Sequence, residues 1–418
     1  MQSRRRGSNY HKGLCPTNVW RPSVPRQRRA NTFLISTFSF IIMLDKNKTI
    51  IQEGLAKIKI SEGKISKKLD VFYNPVMKLN RDISILLLNS LSNREMQIAD
   101  ILAGSGIRSI RFLLELDKGK INNISINDYK TKNNILENLK LNGLLDNSNI
   151  FVYEKDAVQF LLESSGFDYI DVDPFGSPNP FLEASILRLS RNGILAITAT
   201  DTAALSGNSE NACLRKYFSK PLKNEFMHET GIRILIRKVQ LIASQYEKAL
   251  TPIFSYYKDH YYRVFFKCEK GRQKADEILK NHKFLLYNWK TSQRLIVDDI
   301  LEIKNIKIVN QKCIKDWDYA GPIWIGSLWD SDLVGKMYKN AIQKYNHNNE
   351  LINLLSIINQ ESKINAVGFY DLHYIAKIKK IQIPKIGSII NKEITRTHFL
   401  DWGVRCNLDY KSFLRNIF

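Results

Sequence analysis

Short apolar runs and amphipathic segments alternate through the middle of the chain. The apolar runs are typical of buried strands, and we predict strands over residues 97–103, 124–127, 150–153, 167–172 and 193–198. The segments between them have helical periodicity, and we predict helices over 107–116, 130–145, 157–163 and 180–189. Repeated strand–helix units of this kind predict a parallel sheet with helices on both faces.

Two further strands are predicted after a long helical segment at 231–249. They cover 253–257 and 261–268, and only residues 258–260 separate them. Strands so close must be antiparallel, because a parallel pair needs a crossover of about a dozen residues. We therefore predict an α/β fold whose mostly parallel, Rossmann-like sheet ends in an antiparallel hairpin. This layout resembles class I methyltransferases, although flavodoxin-like and dehydrogenase sheets begin in the same way.

The chain divides into three parts by pattern and charge. Residues 1–44 hold eight Arg or Lys, no Asp or Glu and no hydrophobic period. We expect a disordered basic tail there, or upstream sequence read through to a start at Met43; a transit peptide and a nucleic-acid-binding arm are alternatives. We assign 45–270 to the sheet domain. In 271–418 the alternation stops, and we predict a separate α+β domain.

The net charge narrows the class of partner. The 418 residues include 63 Lys or Arg against 41 Asp or Glu, a formal charge of +22, which favours a polyanion. The five Cys form no CxxC pair, which argues against a disulfide framework and a four-thiolate zinc site. No stretch reaches the roughly 20 apolar residues of a membrane span. We expect a cytoplasmic protein, with organelle targeting by residues 1–42 as the alternative.

A glycine-rich turn follows the first strand of the alternating region. Asp100 closes this strand, and Gly104 and Gly106 precede the next helix. Glycines let the backbone approach a ligand, and the free N–H groups of the helix can bind it. Because the third glycine of the dinucleotide fingerprint is missing, the turn favours a nucleoside ligand. A tight turn without a ligand would have the same sequence.

Acidic residues follow the next two strands. Asp128 comes after the second strand and Asp156 after the third. A carboxylate at the second position can accept hydrogen bonds from ribose hydroxyls, and one at the third can face an adenine amine. Each alone is more often a solvated loop residue, but the carboxyl ends of parallel strands converge on one crevice.

The fourth strand leads into Asp173-Pro174-Phe175, which resembles the D/N-P-P-Y signature of enzymes that methylate exocyclic amines of bases. Such an amine is a poor nucleophile because its lone pair is delocalised into the ring. A carboxylate and a carbonyl that accept its N–H bonds localise this lone pair and take up the proton. Asp173 supplies the carboxylate, Pro174 the carbonyl and Phe175 a stacking surface. Asp171 points the same way, and a plain Pro-Gly turn is the alternative.

Longer motifs resemble the tRNA guanine-26 N2-dimethyltransferase family from about Thr49 to near Phe418. They lie at residues 71–82, 102–108, 173–178, 198–201, 215–217, 228–236, 321–326 and 395–399. The resemblance implies S-adenosylmethionine as cofactor, and transfer of one or two methyl groups to a guanine N2 in tRNA.

The resemblance also implies roles for individual residues. It places the cofactor contacts on Arg81, Arg108, Asp128, Asp156 and Ala157, and the catalytic role on Asp173. Either arginine could pair with the cofactor's carboxylate. The C-terminal domain resembles a tRNA-binding module. Some members carry a cysteine cluster there, but only Cys313 stands in that region of this chain, so we predict no metal.

Several alternatives stay open at this point. One is amino methylation of DNA or another RNA, and another is a catalytically silent RNA-binding protein. We expect tRNA as the partner of a monomer, with no membrane and no protein partner. A basic stretch after the catalytic strand could face phosphates or be a solvated helix face; it contains Lys216, Lys220, Lys223, Arg233, Arg237 and Lys238.

We predict that deleting residues 1–42 leaves methyl transfer unchanged, since every motif lies after Met43. The tail adds at most nonspecific affinity, which fades as salt rises. The measurement compares turnover of the full chain and the Met43 form at near-physiological salt. A large loss of turnover in a folded shorter form would contradict this prediction.

Overall fold

The computed structural model describes residues 43–45, 48–61, 73–299 and 316–417. A small antiparallel sheet begins the described chain and consists of β1 (Met43–Asp45), β2 (Lys48–Glu53) and β3 (Ala56–Ser61). A 3₁₀ turn (Pro75–Met77) then leads into α1 (Lys78–Ser90). Cys313 and most of the N-terminal basic segment lie outside the described residues.

Seven strands form the central sheet, in the order β6-β5-β4-β7-β8-β10-β9. They are β4 (Met96–Asp100), β5 (Ile121–Asn127), β6 (Ile150–Tyr153), β7 (Phe167–Val172), β8 (Leu189–Ala199), β9 (Lys248–Lys258) and β10 (Tyr261–Lys270). Strands β4 to β8 pair in parallel, and β10 runs antiparallel to β8 and β9. The predicted Rossmann-like sheet with a terminal hairpin is therefore confirmed.

Helices connect the strands of this sheet and cover them. They are α2 (Ile107–Glu115), α3 (Lys132–Leu141), α4 (Ala157–Glu163), α5 (Asn179–Arg188), α6 (Thr202–Leu205), α7 (Glu210–Tyr217) and α8 (Met227–Ser244). The apolar strand residues between them are buried, as the parallel arrangement requires. No helix within the described ranges is long and apolar enough to cross a bilayer.

The end of α8 differs from the prediction, which extended this helix to residue 249. Glu247 adopts a positive φ of 53°, so the chain leaves the helix and enters β9 at Lys248. The buried Lys248 amine donates to the carbonyls of Ile186 and Leu189, which satisfies the charge at the strand start. The sequence pattern of the helix continues past Glu247 because residues near the start of β9 are also apolar.

The C-terminal part mixes helices with two three-stranded sheets. The first contains β11 (His282–Asn288), β12 (Arg294–Val297) and β13 (Trp317–Trp324), and the second β14 (Tyr370–Asp371), β15 (Thr395–Thr397) and β16 (Leu400–Arg405). The helices are α9 (Arg272–Leu279), α10 (Ser331–Lys344), α11 (Asn349–Glu361), α12 (Leu372–Lys379), α13 (Ile386–Ile389) and α14 (Tyr410–Ile417). The predicted α+β composition is confirmed.

One apolar core extends across residue 270. It includes Ala56 near the start of the described chain and Phe399 near its end, and a smaller core surrounds Phe413. Helix α8 contacts β13, so the two predicted domains share side-chain packing. The domain boundary at residue 270 stays a prediction.

Buried ion pairs join α8 to the C-terminal part. The Arg405 guanidinium donates to Glu229 at 2.6 Å and to Glu361 at 2.9 Å, and all three side chains are almost fully buried. Arg233 donates to Glu229 at 2.8 Å and to the Trp324 carbonyl at 3.0 Å. Arg233 therefore does not face phosphates, and its predicted membership of a basic surface is wrong.

Burial by itself would raise the pKa of Glu229. Arg405 and Arg233 outweigh burial and lower this pKa to about 2. A carboxylate whose pKa is depressed by folding stabilises the folded state above its ordinary pKa, and this contribution disappears as pH falls toward the folded value.

We predict that Glu229→Gln lowers the free energy of unfolding by about 3–5 kcal/mol, because two buried guanidinium groups lose their shared partner. Urea unfolding at pH 7 measures the change. The wild-type protein should also lose stability as pH falls from about 4.5 toward 2, and the variant should lose less over this range.

The matched control is Glu350→Gln. Glu350 is exposed and pairs with Lys258 at 2.8 Å, so its loss should change stability by less than about 0.5 kcal/mol. Equal effects of the two substitutions would contradict the stabilising role of the buried network.

Candidate active site

A cavity of about 550 Å³ opens at the carboxyl ends of the parallel strands. Eight of the eleven predicted site residues line it: Arg81, Asp100, Gly104, Arg108, Asp128, Asp173, Pro174 and Phe175. Gly106, Asp156 and Ala157 are not among the lining residues. The volume lies in the range of about 300–1,000 Å³ that is typical of small-molecule sites.

The glycine turn and Asp128 form one hydrogen-bonded wall of the cavity. Gly104 has a φ of +56°, and its N–H donates to Asp128 Oδ2 at 2.9 Å. The Thr131 hydroxyl donates to the Gly104 carbonyl at 2.6 Å, which fixes the turn against the segment before α3. The Asp128 carboxylate is thereby oriented at the edge of the cavity.

Asp100 lies at the end of β4 and is only 3% exposed. Its Oδ2 accepts a hydrogen bond from the Ser109 hydroxyl at 2.8 Å. Burial raises the pKa of Asp100, Arg108 lowers it, and the nearby Asp171 and Asp173 raise it again, so that together they bring it to about 7. Near neutral pH this carboxyl is therefore poised between its charged and neutral forms.

Arg108 connects Asp171 in β7 with Asp173, which directly follows this strand. Its guanidinium forms an ion pair with Asp173 and lies 3.4 Å from Asp171 Oδ2. Asp171 is fully buried and also binds Arg263 at 2.6 Å, whereas the Asp173 side chain is 19% exposed and lines the cavity. Both acids thus lie on one side of the strand, and only Asp173 is open to a ligand.

The loop that follows Asp173 is fixed to the end of β8. The Gly176 N–H donates to the Thr200 hydroxyl at 2.6 Å, and the Gly176 carbonyl accepts from the Thr200 N–H at 2.9 Å. Gly176 has a φ of +88°, a conformation that favours glycine. This turn presents the Phe175 ring, which is 46% exposed, at the cavity.

Arg81 reaches the cavity from α1, where a carboxylate already holds it. Its Nε donates to Glu53 Oε1 at 2.7 Å, and its Nη2 donates to the Asn74 carbonyl at 3.0 Å. Glu53 also accepts from Arg111 at 2.8 Å. Burial raises the pKa of Glu53, but Arg81 and Arg111 outweigh this effect and bring it to about 2.

The three predicted residues outside the lining have structural positions. Asp156 is the N-cap of α4 and accepts from the N–H groups of Val158 and Gln159 at 2.9 and 3.1 Å. Ala157 is the buried first residue of this helix. Gly106 precedes α2, where a Cβ would lie 3.3 Å from Ile135. Their assignment to the cofactor stays a prediction.

The lining fits S-adenosylmethionine by its chemistry. Carboxylates at the glycine turn suit hydroxyl donors, and the guanidinium groups of Arg81 and Arg108 suit a carboxylate. Met77, Leu102 and Phe181 supply apolar surface for a base. Within the described ranges, no group of three or more His, Cys, Asp or Glu could hold a metal ion.

A family model described as "N2,N2-dimethylguanosine tRNA methyltransferase" matches residues 48–417. The chain belongs to this family. It is 39% identical over 380 residues to the tRNA (guanine(26)-N(2)/guanine(27)-N(2))-dimethyltransferase of Aquifex aeolicus, covering 88% of this chain and 95% of that protein. Identity to the tRNA (guanine(26)-N(2))-dimethyltransferase of Methanocaldococcus jannaschii is 38%, with coverage of 88% and 98%.

A solved structure gives the same result for the fold of this dimethylguanosine methyltransferase family member. It is that of Trm1 from Pyrococcus horikoshii with S-adenosyl-L-methionine, with a TM-score of 0.76 and 34% sequence identity. The match covers 88% of this chain and 99% of that one. The family resemblance inferred from the motifs is therefore confirmed.

Sequence reasoning missed several residues that line the cavity of this family member. Phe181 lies on α5, Thr200 follows β8, and His260 lies in the β9–β10 turn. Tyr73 and Met77 enter from the segment before α1. The motif at 71–82 was the only sequence signal for Tyr73 and Met77. A lone His in a hairpin turn, such as His260, gives no signal of a site.

We predict that Asp128→Ala weakens S-adenosylmethionine binding by about tenfold or more, because a charge-assisted hydrogen bond is worth about 1.5–3 kcal/mol. Isothermal titration measures the affinity. Asp146→Ala is the control, since Asp146 is exposed and does not line the cavity. Equal affinities of the Asp128 variant and the wild type would remove Asp128 from the site.

Proposed function

We propose that this chain transfers methyl groups from S-adenosylmethionine to the exocyclic N2 of a guanine in tRNA. One observation carries the proposal: Asp173-Pro174-Phe175 and the glycine turn with Asp128 face the same cavity. An amine-binding motif and a nucleoside-binding turn are the two halves that such a reaction needs. Membership of the dimethylguanosine methyltransferase family supports the same conclusion.

The motif residues bind and orient the amine. Asp173 accepts one N–H of the guanine amine, and the Pro174 carbonyl accepts the other, which localises the nitrogen lone pair. Phe175 stacks on the base. When bound, S-adenosylmethionine supplies an electrophilic methyl group. Arg108 forms an ion pair with the Asp173 carboxylate. This pairing fixes the orientation of the carboxylate before the base binds.

The cofactor-binding role falls on the remaining lining residues. Asp128 accepts the ribose hydroxyls, Gly104 allows close approach, and Arg81 and Arg108 offer guanidinium groups to the cofactor's carboxylate. Asp100 contributes a carboxyl that can also donate, since its pKa is about 7. Gly106, Asp156 and Ala157, which lie outside the lining, are the further proposed cofactor contacts.

Position 26 is the proposed target, with one or two methyl groups added. The relatives from Aquifex aeolicus and Methanocaldococcus jannaschii are both named for guanine 26, and the Aquifex aeolicus protein is also named for guanine 27. Residues 271–418 are the proposed tRNA-binding part, with 23 basic and 15 acidic residues. We further propose that the enzyme works as a monomer in the cytoplasm.

We predict that Asp173→Asn lowers methyl transfer to tRNA by about a hundredfold or more, since the amide loses the negative charge that polarises the reacting amine and takes up its proton. Binding of S-adenosylmethionine should persist. Transfer of radiolabelled methyl groups to unmodified tRNA measures the effect, and isothermal titration measures the binding. Near-normal turnover of the variant would contradict the assignment of Asp173.

The control variant is Glu183→Gln, because Glu183 on α5 contacts Tyr246 and does not line the cavity. It should transfer methyl groups at the wild-type rate. A parallel assay with duplex and single-stranded DNA separates the main alternative. Label in DNA but not in tRNA would favour a DNA amino methyltransferase, and label in neither would favour a silent RNA-binding protein.

A further inference from the structure

Phe218 occupies a backbone conformation that is costly for its side chain. It follows the last residue of α7 with φ 53° and ψ 42°, in the left-handed region. Among the described non-glycine residues with positive φ, it is the one aromatic residue. Its side chain is nevertheless 63% exposed, so core packing does not explain why a bulky ring is kept there. An observed strain without a packing reason points to a functional role.

The two residues before Phe218 are hydrogen-bonded to the loop that carries Phe175. Tyr217, the neighbouring residue, donates its hydroxyl hydrogen bond to Ser177 at 3.0 Å. Asn179 donates to the Lys216 carbonyl at 2.8 Å. These two bonds attach the end of α7 to the segment that directly follows Asp173-Pro174-Phe175. Phe175 and Phe218 are therefore two exposed rings on connected loops.

Two cations contact Phe218, one at its ring and one at its backbone carbonyl. The Lys238 amine lies 4.8 Å from the centre of the ring, and Arg237 donates to the Phe218 carbonyl at 3.2 Å. Within the described part of the chain, neither cation forms an ion pair with a carboxylate. We call Phe218, Arg237 and Lys238 the Phe218 patch.

We propose that the Phe218 patch binds a nucleotide flanking the target guanine, with its base stacked on Phe218 and its phosphate at Lys238 and Arg237. An exposed ring with adjacent cations is the combination that binds unpaired nucleotides, because bases stack on aromatic rings and phosphates pair with cations. This inference rests on the proposed function. It adds a second stacking position, on a segment hydrogen-bonded to the loop that carries Phe175.

The test uses Phe218→Gly in the full chain. Glycine adopts the left-handed conformation without strain, so the melting temperature should stay the same or rise. Affinity for an unmodified tRNA transcript should fall by about tenfold, measured by filter binding. Phe218→Tyr keeps the ring and should bind within about twofold of the wild type. Phe151→Ala removes an exposed ring on β6 and should leave affinity unchanged.

A second measurement separates stacking from charge. Binding is measured over a range of salt concentrations, and the slope of log affinity against log salt is compared. Lys238→Gln should reduce this slope by about 1, the value of one phosphate contact, whereas Phe218→Gly should leave it unchanged. The inference about the patch would be overturned if Phe218→Gly bound tRNA with wild-type affinity, or if Phe218→Gly and Phe218→Tyr lost affinity equally. Either result would leave the proposed function intact. A wild-type protein that neither binds nor methylates tRNA would overturn the proposed function as well.

Discussion

The site depends on a buried guanidinium. Arg108 is 5% exposed and must be paired, because an unpaired charge at this depth would be strongly unfavourable. Its donors reach Asp173, Asn80 at 2.9 Å and Ser84 at 3.2 Å, which ties α1 and α2 to the catalytic strand. The position of the acceptor carboxylate is thus a consequence of how a buried charge is satisfied.

The same charge balance accounts for Asp100. Arg108 and Arg263 supply two positive charges, and Asp171 and Asp173 supply two negative ones. A third buried carboxylate has no further cation to balance it, which agrees with a pKa raised to about 7. The cluster therefore holds Asp173 as an oriented acceptor at the cavity. The Asp100 carboxyl beside the glycine turn keeps a pKa near neutral pH.

Much of this arrangement could be predicted from the sequence, because local signals sufficed. The predicted bounds of α4 and β7 are those observed, since a capping acid and a short apolar run mark them. The cavity lining by Gly104, Asp128 and Asp173 followed from the rule that parallel strands converge at their carboxyl ends.

Long-range pairing had no such signal. Glu53 clamps Arg81 from a hairpin 28 residues earlier in the chain, and a single acid in a strand does not reveal its partner. Arg233 was predicted to be a surface cation because charged side chains are usually exposed. It is buried, and it donates to Glu229 and the Trp324 carbonyl. The sequence carried no signal for the conformation of Phe218, because residue type alone does not reveal a positive φ.

Nucleoside mass spectrometry of an unmodified tRNA, after incubation with the protein and S-adenosylmethionine, tests the central claim most directly. The claim is that the Asp173 site acts on a guanine amine. It predicts N2-methylguanosine and N2,N2-dimethylguanosine, mapped to position 26. Methylation of a ring nitrogen, of another nucleoside, or of nothing at all by a protein that binds the cofactor would contradict it.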